Sequence, residues 1–171
     1  ELAAGEPRIV GVVGWFDVTD PEVSEEIAQA RAARGGEFLV GVRHQVETEP
    51  DRGWLDRDDV LRGIAAVGDA GLVWDFVVGS DQLPQVIRAV DALPEQRFVL
   101  DHCGKPPIAA DNARAGVDGA GMVAWRRDAA ELARRPNVAV KVSGLVAEAD
   151  HEHWTVANLA AVADQVLAAF G

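Results

Sequence analysis

Three ionisable residues follow a short apolar run in the stretch RFVLDHCGKPPI: Asp101, His102 and Lys105 come soon after Phe98–Leu100. A histidine at the end of a strand can act as a general acid or base or bind a metal ion, since histidine titrates near neutral pH and its neutral ring nitrogen is a zinc ligand. The same residues can instead cap a helix or satisfy loop amides in a turn. On the sequence alone, both interpretations of Asp101 and His102 stay open.

Polar residues also follow the other apolar runs of strand length, namely Asp17, Arg43, His44, Asp75 and Lys141. In parallel α/β folds, ligands bind at the carboxyl ends of the strands, so these side chains are candidates for one site. Arg43 and Lys141 could form ion pairs with Asp75 and Asp101. They could also hold a carboxylate, a polyol or the oxygen that becomes negative in acyl transfer.

Five strands alternate with helical segments, which favours right-handed βαβ units around a parallel sheet. The strands are predicted over 8–17, 38–44 and 72–78, in the stretch 97–108, and over 137–145. In the last strand, alternation puts Val138, Val140 and Val142 on one face. Lys141 lies on the opposite face, directed inward. An open doubly wound sheet and part of a (β/α)8 barrel both fit this order.

The helices between the strands are predicted from periodicity, caps and breakers. The first helix is predicted with Asp20 as N-cap, Pro21 as first residue and a stop at Gly35 and Gly36, and the second over 57–70 with Gly71 as its stop. The third carries Leu83 to Leu93, and a loop over 107–121 follows the fourth strand. The fourth helix contains Trp125 and Leu132, with Arg134 and Arg135 in its last turn, and the fifth has Thr155 as N-cap.

Composition limits the kind of protein. The chain of 171 residues is 49% hydrophobic, which is ordinary for a globular domain, so we expect one domain over 1–171. The formal charge of −12 opposes nucleic acid and anionic membrane as partners and favours a small molecule. We see no secretory signal or transmembrane run and expect a cytoplasmic protein. The single cysteine, Cys103, excludes an internal disulfide and is interpreted as packing.

Two further features are weighed against structural roles. The five tryptophans are interpreted as core or lip residues, and Trp15 is also a candidate aromatic platform for a sugar ring. The segment HEHW contains His151 and His153 at a spacing used by metal hydrolases. No apolar strand precedes it and Thr155 starts a helix directly after it, so the metal interpretation is not favoured.

Five blocks in collinear order resemble the amidohydrolase-2 family, in its sugar-lactonase branch of L-fuconolactonase-like and L-rhamnono-lactonase-like enzymes. They are GVVGWFDVTDPEV, LVGVRHQVETEPD, GLVWDF, FVLDHCGKPPIA and NVAVKVSGLVAEAD. The resemblance implies a (β/α)8 TIM barrel, and the present strands match the third to the seventh. The fold expected here is therefore an incomplete barrel of about five βα units.

The resemblance also implies an activity, the hydrolysis of a sugar lactone by activated water. It makes His102 a metal ligand or acid/base and gives Arg43 and Lys141 catalytic roles. It makes Arg43, His44 and Asp75 substrate-binding residues, and Trp15 joins them as the candidate aromatic platform named above. The implied cofactor is a divalent metal, with zinc as first choice. The His-x-His pair of the family's first strand and the aspartate of its last strand have no counterpart here.

We therefore expect these residues to be a portion of a longer enzyme that is inactive without the missing strands, and that could form homo-oligomers. Five strands do not close such a barrel and leave two apolar edges, which a partner copy could also cover. Two alternatives remain. One is a non-catalytic α/β binding or scaffold module, and the other is a decarboxylase or lactone isomerase on the same barrel.

Overall fold

In the part of the chain that the structure describes, five parallel strands form one sheet in chain order, β1-β2-β3-β4-β5. The computed structural model describes residues 2–109 and 119–171. The strands are β1 Val12–Gly14, β2 Leu39–Gln45, β3 Val73–Val77, β4 Phe98–Leu100 and β5 Val138–Val140. The helices are α1 Leu2–Gly5, α2 Val23–Ala32, α3 Asp58–Asp69, α4 Leu83–Ala92, α5 Ala120–Leu132 and α6 Val156–Phe170.

The strand order decides between the two architectures that the sequence left open. A doubly wound sheet reverses its order at a switch point, whereas in the described part each strand pairs with the next one along the chain. Right-handed crossovers that all step in one direction put the helices on one face of the sheet. This is the arrangement of a barrel segment, and it bears out the prediction of five βα units.

The core lies between the sheet and the helices. Trp74 and Phe76 of β3 and Phe98 of β4 are fully buried, and the rings of Phe76 and Phe98 stack with centroids 5.2 Å apart. Helices α3 and α4 each turn an apolar stripe toward them. The buried apolar residues form one cluster, while the single domain over 1–171 stays a prediction.

Both edges of the sheet are open in the described part of the chain, and the two edge strands expose residues of the face opposite the helices. Val13 on β1 is 38% exposed and Ala139 on β5 is exposed. Beside β1 an apolar groove is lined by Val12, Phe16 and Leu39, among others, and a second groove runs between β5 and α6. The expectation of two apolar edges is confirmed.

The ends of the elements follow the sequence only in part. Thr155 is the N-cap of α6, as predicted, and its Oγ1 accepts a hydrogen bond from Asn158 N–H. The prediction for α2 is wrong, because Asp20 forms a turn in which its Oδ1 accepts from Glu22 N–H at 2.7 Å. Glu22 is the N-cap and the helix begins at Val23.

The end of α5 is also earlier than predicted. The helix stops at Leu132, and Arg134 and Arg135 continue in a tighter turn whose amides bond to Glu131 and Leu132 carbonyls. The predicted loop over 107–121 lies largely outside the described residues. Among the helices of the described residues, none is both long and apolar enough to cross a membrane.

Candidate active site

Four charged side chains meet at the carboxyl edge of the sheet, two acidic and two basic. Arg43 Nη2 lies 3.2 Å from Asp75 Oδ2, and Arg43 Nε lies 2.9 Å from Asp101 Oδ2. Lys141 Nζ lies 2.5 Å from Asp75 Oδ2 and 2.7 Å from Asp101 Oδ1. Each cation therefore contacts both carboxylates, and the four residues form a closed ionic cluster.

Strand register explains why these residues meet. Arg43 on β2 lies opposite Asp75 on β3, and Asp75 lies opposite Val99 on β4. Asp101 follows two residues after Val99, so it lies on the same face one row nearer the carboxyl edge. Lys141 directly follows β5, on the face opposite Val138 and Val140, which pack against the core. The inward direction of Lys141 is confirmed.

Burial and charge compensation determine whether the side chains of the cluster are charged. The side chain of Asp101 is 0% exposed and that of Asp75 is 3% exposed, while those of Arg43 and Lys141 are each 39% exposed. Burial lowers the pKa of Lys141, but contacts with Asp101 and Asp75 outweigh it, so the net shift is upward and the ammonium stays charged. The ion pairing that the sequence allowed is thus present.

The residues after β4 have an unusual backbone. His102, Cys103, Gly104 and Lys105 have φ values of +54°, +56°, +66° and +48°. A non-glycine residue in this left-handed region costs about 1–3 kcal/mol, and such strain clusters at functional sites. Surrounding bonds hold the turn, because Cys103 N–H donates to Lys141 O at 3.1 Å and Trp125 Nε1–H donates to Cys103 O at 2.8 Å.

His102 lies half-buried in this turn, and its Nδ1 is 2.9 Å from Ser143 Oγ. No group of three or more His, Cys, Asp or Glu side chains that could hold a metal ion occurs within 2–109 and 119–171. The described residues therefore do not fit a metal centre by themselves, and His102 would need ligands from elsewhere. Its role as a metal ligand stays a prediction.

His44 lies apart from the ionic cluster, in an aromatic stack. The centroid of its ring lies 4.4 Å from the ring centroid of Trp54 and 6.2 Å from that of Trp15. Trp15 Nε1–H donates to His44 Nδ1 at 3.2 Å, so the ring proton must be on Nε2, which lies 2.5 Å from Glu49 Oε1. Both nitrogens are engaged, so His44 is a structural partner of Trp15 in this arrangement.

A cleft of about 380 Å³ lies beside the aromatic stack and reaches Arg43 of the ionic cluster; Trp15, Arg43, His44 and Glu49 are among its lining residues. The Trp15 side chain is 64% exposed and forms part of its wall. The cleft is large enough for one small-molecule ring. The structure thus brings together four predicted residues, Arg43, Asp75, Lys141 and the neighbouring Asp101, while Trp15 and His44 share the cleft with Arg43 alone of these four.

Other candidate residues have structural partners. The Lys105 ammonium contacts both Glu47 carboxylate oxygens, at 2.5 and 2.6 Å, and ties the loops after β2 and β4 together. Asp17 accepts bonds from Thr19, which hold the pKa of its carboxyl below the ordinary value. His153 Nδ1 lies 3.0 Å from Asp150 Oδ2 in an exposed turn, and the interpretation that HEHW is not a metal site stays a prediction.

Cys103 is buried in the core, and burial raises the pKa of its thiol, so packing is the role that its position supports. Ser143, Glu49 and Trp54 were not predicted as partners in the site. Alternation in the fifth strand puts Ser143 on the face of Lys141, and this pattern could have found it. Nothing local in the loop over 45–55 indicates the contacts of Glu49 and Trp54.

A segment of parallel βα units in chain order, with charged groups at the carboxyl edge, defines the class of (β/α)8-barrel enzymes. The sequence profile described as Amidohydrolase (Amidohydro_2) matches residues 2–171. The chain belongs to this amidohydrolase family.

Two curated relatives are L-fucono-1,5-lactonases. The protein of Burkholderia multivorans is 39% identical over 151 residues, which is 88% of this chain and 48% of that protein. The protein of Burkholderia ambifaria is 32% identical over 149 residues, which is 87% of this chain and 47% of that protein. The chain thus spans about half the length of the curated relatives that it matches.

Solved structures agree with the fold. A crystal structure of an amidohydrolase from Burkholderia multivorans with bound HEPES has a TM-score of 0.87 and 36% identity, covering 99% of this chain and 58% of that one. A second crystal structure of an amidohydrolase from Burkholderia multivorans, with bound zinc, has a TM-score of 0.86 and 35% identity, and it also covers 99% of this chain and 58% of that one. These similarities confirm that the five strands are part of an amidohydrolase barrel.

Proposed function

We propose that the complete protein carrying this chain hydrolyses a sugar lactone, with L-fucono-1,5-lactone as the first substrate to test. The observation that carries the proposal is the ionic cluster of Arg43, Asp75, Asp101 and Lys141 at the carboxyl edge of the sheet. It places two cations where ligands bind in this class of fold. The two curated relatives supply the substrate class.

The cluster suits a reaction in which negative charge develops on a carbonyl oxygen. Lysine has three N–H bonds and Lys141 has two carboxylate contacts, so it retains at least one free donor. Arg43 has five N–H bonds and two carboxylate contacts, so it also retains free donors. Because Asp75 and Asp101 hold both cations in place, these donors are preorganised for the oxygen of the tetrahedral intermediate.

Lactone opening then follows from addition of water to the carbonyl carbon. The ring C–O bond breaks, the leaving oxygen takes a proton, and the product is a hydroxy acid that ionises at neutral pH. His102, at the end of β4, is the residue of this chain that we assign to proton transfer. A bound divalent metal, with zinc as our first choice, would polarise the carbonyl and lower the pKa of water, with ligands beyond His102 supplied from outside the described residues.

The cleft beside the cluster provides the substrate-binding surface in this proposal. Trp15 offers an exposed indole on which the apolar face of a sugar ring can stack, and its bond to His44 fixes the ring orientation. Arg43 lines the cleft and belongs to the cluster at the same time. A lactone bound against Trp15 would therefore lie beside the free donors of Arg43.

A cytoplasmic location stays a prediction.

A lactone panel tests the proposal. Each hydrolysed lactone releases one proton at neutral pH, so a pH indicator follows the reaction of the complete protein. We expect turnover of a sugar lactone and its loss in His102→Ala. If no lactone is hydrolysed, or if His102→Ala leaves the rate unchanged, the proposal is wrong. Release of CO2 or a change of ring size without proton release would instead support the decarboxylase or isomerase alternative.

A further inference from the structure

The loop that follows β5 holds the ring of His102 from one side. Ser143 Oγ is 2.9 Å from His102 Nδ1. The next residue, Gly144, has φ +71°, in the left-handed region that favours glycine. A Cβ atom on Gly144 would lie 2.8 Å from Cγ and 2.9 Å from both Cβ and Nδ1 of His102. A larger residue at this position would therefore push the ring away.

The backbone conformation of His102 also constrains the direction of its ring. His102 has φ +54°, so its side chain leaves the chain in a direction that ordinary strand or helix geometry does not give. The hydrogen bond from Cys103 N–H to Lys141 O ties this strained turn to the end of β5. Ser143 and Gly144 come two and three residues after Lys141, so one short segment holds both the turn and the ring.

We propose that Ser143 and Gly144 are positioning residues for His102, with His102 Nδ1–H donating to Ser143 Oγ and the unprotonated Nε2 left to act on the substrate. A serine hydroxyl can donate or accept, so it is compatible with either tautomer. The tautomer with the proton on Nδ1 is the one whose Nε2 can take a proton from water or bind a metal ion. The choice of this tautomer and the use of Nε2 rest on the proposed function, whereas the contacts that position the ring do not.

The tautomer can be measured without any activity. In the complete protein labelled with 15N-histidine, His102 is assigned by the signals that disappear in His102→Gln, and its ring shifts are read at one fixed pH. We expect a proton on Nδ1 in the unmodified protein and in Ser143→Thr, which keeps the hydroxyl. Ser143→Ala should give a mixture of tautomers. A proton on Nε2 in the unmodified protein, or no change in Ser143→Ala, would overturn the proposal.

Kinetics give a second readout. Removing the partner that orients a reactive histidine typically costs about 10- to 100-fold in activity, so we expect a loss of this size in kcat for Ser143→Ala. KM should change little, since the serine does not touch substrate. Ser143→Thr should restore most of the loss, and Gly144→Ala should lower kcat by displacing the ring.

The two proposals fail separately. Absence of lactone turnover in the unmodified protein would refute the proposed function, while the ring shifts would still decide the tautomer. Equal unfolding midpoints for Ser143→Ala and Ser143→Thr would show that a kcat difference is not due to lost stability. Equal kcat values for these two variants and the unmodified protein would overturn the positioning role.

Discussion

Asp101→Asn removes a charge from the most buried member of the ionic cluster. The side chain of Asp101 is fully buried, with Arg43 Nε at 2.9 Å and Lys141 Nζ at 2.7 Å. Asparagine has nearly the same shape but carries no charge. The substitution therefore leaves two cations that face a single carboxylate, that of Asp75.

The magnitude follows from the burial of each partner. Breaking a fully buried ion pair costs about 3–5 kcal/mol, because the remaining charge is left without compensation. Here Arg43 and Lys141 are each 39% exposed and both keep a contact with Asp75, so water and that carboxylate offset part of the loss. We expect the free energy of unfolding to fall by about 2 kcal/mol.

Urea unfolding of the complete protein measures this loss, followed by tryptophan fluorescence, to which the buried Trp54, Trp74 and Trp125 contribute. The matched control is Asp81→Asn, which removes the same charge from an exposed ion pair with Arg52. The side chain of Asp81 is 68% exposed and that of Arg52 is 56% exposed. The control should lose no more than about 0.5 kcal/mol. If Asp101→Asn loses as little as Asp81→Asn, the reasoning from burial and charge compensation is refuted.

Three further substitutions test packing, pH dependence and capping. Gly63→Ala should lower the free energy of unfolding by about 2 kcal/mol, because its Cβ would lie 1.9 Å from the backbone oxygen of Val18. The hydrogen bond from Arg88 holds the pKa of Asp56 below its usual 3.8. The ionised Asp56 therefore contributes stability above pH 3.8, and this contribution is lost as the pH falls through the lowered pKa. Asp56→Asn should therefore be destabilising at pH 7 and neutral at low pH. Thr155→Ala should cost about 1 kcal/mol by removing the N-cap of α6.

Controls separate these effects from general damage. Gly53→Ala adds the same methyl group where only the Asp51 carboxylate comes near, at 3.3 Å, so urea unfolding should show little change. Unfolding of Asp56→Asn and the unmodified protein is compared across pH, and a difference that persists at low pH would contradict the ion-pair explanation. Thr155→Ser should keep the stability that Thr155→Ala loses, and equal losses would exclude capping as the cause.

The sequence predicts the central strands and their helices well, because apolar runs and helical periodicity are strong there. Strand β2 is observed at Leu39–Gln45 against a predicted 38–44, and β3 at Val73–Val77 against 72–78. The outer strands are much shorter than predicted. Strand β1 covers Val12–Gly14 rather than 8–17, since in the described part an edge strand has only one neighbour with which to form hydrogen bonds.

Strands β4 and β5 are short for further reasons. Strand β4 stops at Leu100 because His102 and Cys103 adopt left-handed conformations, which no residue type at those positions indicates. Strand β5 covers Val138–Val140 rather than 137–145, and the chain beyond it turns to hold His102. Such strain depends on contacts between distant segments, so periodicity does not predict it.

The sequence predicted which residues lie in the site, but it did not predict which of their side chains contact one another. Polar residues at strand ends indicated Arg43, Asp75, Asp101 and Lys141, and parallel pairing places strand ends at one edge. Which cation contacts which carboxylate depends on register, and register is not fixed by the pattern of one strand. The contact of His44 with Glu49 depends in the same way on a loop whose path the sequence leaves open.

The central claim is that the cations of the ionic cluster stabilise negative charge on the substrate. Its most direct test is kcat/KM for lactone hydrolysis by Lys141→Met in the complete protein, next to Arg52→Met, which removes an exposed cation outside the cluster. With folding of both variants verified by their unfolding midpoints, we expect Lys141→Met to lose about 100-fold or more and Arg52→Met to stay near the unmodified protein. Equal kcat/KM values for the two variants would contradict the claim.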